Sequence, residues 1–396
     1  MLIGYNQICI NPIKPTLRVG MFNDHNPMLN VRGDLYARCL HLKSSSFNVI
    51  LLVFDSLGIS SDIQILFEKK LKETIQEDVS FIFCSTHTHY APSLCNLHGL
   101  INVDKQYFEH TARKVALMAK NCRLIDKEIS INYSWEQFDQ VGKTRINHKS
   151  NDNVYAGVMS FYDDHTRIGN ILFYNCHPTT PQDDANYFTS AFVGSAVERL
   201  TKKYPGEFFI YLQGADGDIS TRLNRQSTKY EEVTRLGNLM SDEFIKLLSH
   251  NQKQERHPLT LNYRFWDLTI NNELKDITSL NENDLVGYTE KEIKELKTGI
   301  RLITSMKDKV EPFKSKINFS LLELNGYRLL FNPFELFSDY NNYINKDNTL
   351  LVCYSQGIQG YLTQPNNNHI SYEYLIETQN EEDKKNVVET IKKITK

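Results

Sequence analysis

The segment Ser85-Thr86-His87-Thr88-His89 places two histidines two residues apart, directly after the apolar run Val79 to Cys84. The pair reads as one imidazole on each side of the backbone, one binding a metal while the other faces a substrate. Histidine suits both roles, as the commonest metal ligand and the usual proton shuttle near neutral pH. Taken alone, such an H-x-H pair reads as two satisfied loop histidines. The placement of other polar residues favours the chemical reading. His177 follows the run Ile171 to Cys176, and Glu335 follows Tyr327 to Phe331 across Asn332-Pro333. Asp55 follows Val49 to Phe54, and the segment Gly214-Ala215-Asp216-Gly217-Asp218-Ile219-Ser220 comes soon after Phe208 to Leu212. Sites in open α/β sheets form outside the carboxyl ends of strands, so these segments share one site if their strands lie side by side. Two histidines and a carboxylate are a zinc set that leaves a position open for water. Zinc so held lowers the pKa of bound water to ~7 and polarises a carbonyl oxygen. The contiguous H-E-x-x-H arrangement is absent, so only folding can assemble such a set. The Gly214 to Ser220 stretch reads as a turn in which Asp218 caps the next segment; the alternative is a loop that brings Ser220 to a metal. Asp55 and Asp218 read as residues that orient a histidine ligand. His25, His98, His110, His148, His165, His250, His257 and His369 read as surface or packing histidines.

The elements that must position these groups are strands and helices in alternation. Strand-length runs rich in Val, Ile, Phe and Tyr recur at Val49 to Phe54, Val79 to Cys84, Val154 to Phe161, Ile171 to Cys176, Phe208 to Leu212, Leu259 to Ile270, Ile317 to Leu324, Tyr327 to Phe331 and Thr349 to Tyr354. Between them lie helical patterns. Ser61-Asp62-Ile63-Gln64 predicts a capping box opening a helix with Ile63, Phe67, Leu71 and Ile75 on one face. Further helices are expected over Lys105 to Lys120, Ala191 to Lys203, Val233 to Leu247, Glu290 to Met306 and the tail from Asn380. This predicts an α/β fold, a large mixed β-sheet layered with helices in a single catalytic domain, 1–396. The charged stretch 281–310 reads as a helical surface excursion. With 40% apolar and 23% charged residues the chain can bury a real core. Its net charge of -3 and the lack of a basic stripe set nucleic-acid binding aside. Nothing approaches the ~20 apolar residues of a membrane span. The seven cysteines are odd in number and form no C-x-x-C, which reads as reduced buried thiols in a cytoplasmic protein.

Taken in order, the segments resemble the neutral, non-lysosomal ceramidase family. Ser85-Thr86-His87-Thr88-His89 with Pro92 matches its T-H-T-H-x-x-P signature, with Tyr90-Ala91 in place of Ser-Gly. Cys176-His177-Pro178-Thr179 is similar to its second histidine motif. Gly217-Asp218-Ile219-Ser220 resembles G-D-V-S, followed by Thr221-Arg222 where Pro-Asn is expected. Asn332-Pro333-Phe334-Glu335 resembles P-G-E-F with Phe334 for glycine. Gly360-Tyr361-Leu362-Thr363 and Tyr372-Glu373 resemble G-Y-V-T and the Y-E after it. The resemblance runs from Leu2 to about Glu373 and implies a zinc amidohydrolase. It implies His87, His177, Glu335 and Tyr361 as ligands of Zn2+. It implies His89 as the group that meets the amide and protonates the leaving amine, and Tyr372 as an oxyanion donor. It aligns Ser220 with an active-site serine and Arg145 with a substrate-pocket arginine. Secreted members carry a leader and an immunoglobulin-like domain, neither of which is read in this sequence, so a cytoplasmic enzyme for a small, lipid-like N-acyl substrate is expected. The competing readings are an esterase or deacetylase of a small acyl compound, and a catalytically silent metal-binding scaffold.

Overall fold

Unbroken apolar runs are what strands covered on both faces require, and Asn48–Phe54 shows how they are used. Val49, Leu51 and Val53 enter a core shared by several sheets, while Ile50, Leu52 and Phe54 point the other way, toward helices. The computed structural model describes residues 2–20, 26–96, 101–126, 128–146, 150–181, 186–251, 257–258, 260–277, 288–307, 311–367 and 369–396. His25, His98 and His148 lie outside them.

A first five-stranded sheet runs in the order Ser80–Ser85, Asn48–Phe54, Tyr36–Lys43, Leu2–Cys9 and Ile125–Asp126. Its outer face is covered by the helices Ser61–Ile75 and Lys105–Lys120. A second five-stranded sheet runs in the order Phe208–Gln213, Thr166–Tyr174, Tyr155–Asp163, Ile129–Gln137 and His257–Pro258. The helices Ala191–Lys203 and Glu231–Asn251 cover it through Phe192, Leu200, Leu236 and Phe244. A four-stranded sheet, Leu261–Asn272, Phe313–Leu324, Tyr327–Phe331 and Thr349–Val352, joins the inner faces of both in one core that includes Leu51, Phe161, Ile171 and Leu329. The C-terminal helix Glu381–Thr395 packs on it through Val387, Ile391 and Ile394. The mixed α/β layering is the one expected, with the strands shared among several sheets.

Two details differ from expectation. The helix Ser61–Ile75 has Ser60 at its N-cap position, and no side chain caps its backbone. The Ser60 hydroxyl is taken instead by Asp62 Oδ1 at 2.5 Å, and Gln64 turns toward Glu68 at 3.1 Å. Within 281–310, where 281–287 and 308–310 lie outside the described residues, the helix Glu290–Met306 is not merely a solvated face. Its Leu296 and Ile303 bury against Leu375 of the short helix Tyr372–Ile376. Among the described residues no helix is long and apolar enough to cross a membrane.

What positions the site is the set of parallel pairs. Ser80–Ser85 runs parallel to Asn48–Phe54, Phe208–Gln213 to Thr166–Tyr174, and Thr349–Val352 to Tyr327–Phe331. Backbone bonds from Ser85 N to Tyr354 O (3.1 Å) and from Cys353 N to Gln213 O (2.9 Å) tie their carboxyl ends together.

Candidate metal centre

His87 lies two residues past the strand Ser80–Ser85, and its φ of 62° turns the chain sharply there. His177 lies just past Thr166–Tyr174, bridged to Ser220, with its N–H on Ile219 O at 3.2 Å. Glu335 is the middle residue of Phe334–Leu336, which pairs in parallel with Gly360–Leu362 so that Glu335 and Tyr361 are register partners. The Gly214–Ser220 loop closes on this pair. Gly217 N donates to Leu336 O at 2.8 Å, and a Cβ on Gly217 would stand 2.7 Å from Glu335 O, so no other residue fits at this approach.

Folding brings His87, His89 and His177 together, with one nitrogen of each within 4.8 Å of the others. Each ring is anchored through Nδ1 to a backbone carbonyl: His87 to Leu57 O (2.7 Å), His89 to Gly20 O (2.9 Å) and His177 to Asp216 O (2.7 Å). A carbonyl only accepts, so Nδ1 carries the proton and Nε2 is left as an inward lone pair. His87 Nε2 and His89 Nε2 are 3.1 Å apart. The two rings therefore do not lie on opposite sides of the backbone: the chain leaves the strand at Ser85, and the left-handed turn at His87 lets both imidazoles converge. Glu335 Oε2 lies 3.5 Å from His87 Nε2 and 3.4 Å from His177 Nε2. The Tyr361 hydroxyl sits 3.3 Å from His177 Nε2. Three converging lone pairs, a carboxylate and a phenol are the donor set of a cation site. The hydrogen-bond anchors behind the rings are the usual support of metal-binding histidines.

The electrostatics agree. Burial, with His89 next, holds the His87 imidazole well below its ordinary range. Burial and then Arg145 do the same for His177, and burial lowers His89 to about 4. Burial pushes the Glu335 carboxyl up to about 8, against the pull of Arg145. Tyr361 and Tyr372 are raised by burial. The imidazoles are thus neutral at physiological pH, and the Glu335 carboxylate gains most from a positive partner.

A cavity of about 630 Å³ opens on this cluster. His87, His89, Glu335, Tyr361 and Tyr372 form one polar end, and apolar residues such as Leu17, Val19, Leu57, Val103, Met306 and Ile376 make up most of the rest, with Arg18, Asn102 and Asp104 among them. Of the residues expected in the site, three do not line this cavity: His177, which sits behind Glu335 and Tyr361, Arg145 and Ser220. Arg145 Nη2 donates to Glu373 Oε1 (2.7 Å) and Gly217 O (2.5 Å), with its guanidinium 6.0 Å from the Tyr361 ring centre. Its charge supports Tyr361 and Glu373 from behind. Ser220 is buried, and its hydroxyl accepts from Arg222 N at 3.4 Å. It thereby caps the turn after it, the role expected of Asp218. Asp218 instead accepts from Ser338 N (2.6 Å) and Ser338 Oγ (3.0 Å), across to the segment after Glu335. Asp55 bonds no histidine. It accepts from Arg38, from Tyr36 N (2.8 Å) and from Thr86 Oγ1 (3.2 Å), fixing the residue before His87. The carboxylate that lies behind one of the three imidazoles is Asp216, 3.2 Å from His177 Nδ1. Asp216 and Tyr354 were legible only as members of a Gly-Asp loop and an apolar run. Their contacts with the histidines depend on strand pairing.

The sequence matches no protein-family model and no curated protein. By structure, the chain has a neutral ceramidase-like fold. It superposes on a ceramidase complexed with C2 with a TM-score of 0.74 at 12% identity, over 99% of this chain and 74% of that one. Neutral ceramidase from Pseudomonas aeruginosa matches with the same TM-score and identity, over 98% and 73%.

Proposed function

We propose that this chain is a zinc-dependent amidohydrolase that cleaves the N-acyl bond of a linear, lipid-like amide. The observation that carries the reading is the convergence of three Nδ1-anchored imidazoles with Glu335 at the polar end of an apolar cavity. Tetrahedral zinc with bonds of ~2.0–2.1 Å keeps its donors ~3.3 Å apart, and Tyr361–His177, Glu335–His177 and Glu335–His87 are separated by 3.3, 3.4 and 3.5 Å. His87, His177, Glu335 and Tyr361 would hold the ion. When bound, zinc supplies a Lewis acid for the amide carbonyl and a water of lowered pKa.

The chain's own groups do the rest. His89 faces the cavity with an unprotonated Nε2, takes there the proton that the attacking water loses and delivers it to the departing amine nitrogen as the C–N bond breaks. The Tyr372 hydroxyl keeps its proton and donates a hydrogen bond where the oxyanion forms. Arg145, paired with Glu373, fixes the Tyr361 side of the site. The apolar walls exclude water and suit an acyl chain. The position of Ser220 away from the cavity favours attack by water over an acyl-enzyme on that serine. The neutral ceramidase-like fold supports the amide as the bond cleaved. Seven cysteines without a disulfide support a reducing, cytoplasmic compartment. The test is elemental analysis of the wild type and His87→Ala, followed by paired N-acyl and O-acyl substrates. About one zinc per chain, lost in the variant, with turnover of N-acyl substrates, is expected. Metal-free, well-folded wild type that takes up no zinc would sink the reading, and turnover of O-acyl substrates alone would make the protein an esterase.

A further inference from the structure

One buried residue outside the cavity touches His87, the residue before Glu335 and the carboxylate beside His177. Tyr354 follows the strand Thr349–Val352 and has a φ of 53°, a left-handed backbone that side chains rarely adopt. Its ring stacks on His87, with centres 3.8 Å apart and planes 18° from parallel. Its carbonyl accepts from Ser85 N at 3.1 Å, two residues before His87. Its N–H donates to Phe334 O at 3.4 Å, one residue before Glu335. Its hydroxyl donates to Asp216 Oδ1. The other carboxylate oxygen, Oδ2, accepts from Gln213 Nε2 at 2.6 Å and lies 3.2 Å from His177 Nδ1. His87, also left-handed, thus meets Tyr354 ring to ring, and His177 is reached through Asp216. Non-glycine residues in this conformation persist only where the surroundings fix them, and they gather at functional sites.

We propose that Tyr354 and Asp216 act as one positioning unit for the metal centre. The phenol holds the plane of His87, its hydroxyl holds the Asp216 carboxylate, and that carboxylate sets the orientation and donor strength of His177. Neither residue touches substrate, so both act through the histidines. Partners of this kind change metal affinity ~10–100-fold when removed. The proposal rests on the metal reading above and adds the residues that tune it.

Tyr354→Phe keeps the stacked ring and removes only the hydroxyl. The measurement is zinc affinity by competition with a chromophoric chelator, together with the visible spectrum of the cobalt-loaded protein and the melting temperature of the chelated form. Tyr354→Phe is expected to lose about tenfold or more in zinc affinity and to shift the cobalt bands, with the melting temperature of the chelated form unchanged. Asp216→Asn combined with Tyr354→Phe is expected to lose no more than the worse single variant, because both lie on one path. Wild-type affinity and an unshifted cobalt spectrum in Tyr354→Phe would overturn the proposal and leave the metal reading standing. A lower melting temperature of the chelated form with unchanged affinity would make Tyr354 a packing residue only. A wild type that binds neither zinc nor cobalt would overturn the metal reading and this proposal with it.

Discussion

At the scale of single residues, the centre depends on which nitrogen of each ring faces inward, and backbone carbonyls decide that. Gly20 is the most exposed to test. Its φ is +98°, its carbonyl holds His89 Nδ1, and a Cβ there would stand 2.7 Å from that same nitrogen. Gly20→Ala must therefore displace the His89 ring or the chain around it. Turnover should fall by about tenfold or more while bound metal stays, since a misplaced proton donor costs on the order of 10²–10⁴ in rate. Steady-state kinetics beside metal analysis would show it, and full activity would take His89 out of the reaction. Glu335→Ala should do the opposite and lose the metal. A Glu335→Ala protein that still held stoichiometric zinc would leave the three histidines as the ligand set.

At the scale of elements, two tyrosines are held by a buried ion cluster at the far side of the site. Glu377 ends the helix Tyr372–Ile376 and accepts from Thr363 N at 2.8 Å, two residues past Tyr361. Lys384 of the C-terminal helix, wholly buried, pairs with Glu377 at 2.6 Å and with Glu381 at 2.9 Å; Lys275 adds a contact to Glu377 at 3.0 Å. Removing one partner of such a pair leaves a buried charge and costs ~3–5 kcal/mol. Lys384→Met should destabilise the protein by that order in denaturant titration and lower kcat, because Tyr361 and Tyr372 lose a common support. An unchanged unfolding midpoint would show the cluster to be dispensable. The elements themselves were legible: period-3.6 faces such as Phe67 and Leu71, and runs such as Val49 to Phe54, carry their own signal. What failed was local competition and distant pairing. The expected box on Ser61 and Gln64 did not form, because the N-cap falls one residue earlier at Ser60 and Gln64 turns to Glu68, and Asp55 was drawn to Arg38. Nothing near Tyr354 in sequence announces His87, because that contact spans 267 positions (354 − 87) and exists only once Ser85 and Tyr354 pair.

At the scale of the whole molecule, the candidate centre gathers the ends of strands from three sheets, so an ion held there would link its binding to folding. An ion that binds only the folded chain adds ~2.7 kcal/mol at a hundredfold excess over its Kd, and one kcal/mol moves the melting point of a large domain by about 2–4 °C. The pH dependence follows from the buried groups. Burial holds the Glu335 carboxyl at about 8, above its ordinary 4.5, so in chelated protein it removes stability as pH rises from 4.5 through about 8. The imidazoles lie below their ordinary 6.5, His89 at about 4, so they remove stability as pH falls below 6.5. A divalent ion favours the carboxylate and the neutral imidazoles together, and offsets both losses. Near pH 5.5 it must still displace the Glu335 proton, whereas near pH 8 about half of that carboxyl is already ionised. Adding zinc to chelated protein should therefore raise the melting temperature more near pH 8 than near pH 5.5. Paired thermal scans at the two pH values decide it. An equal rise at both would separate Glu335 from the metal, and the reverse order would mean that binding does not release its proton.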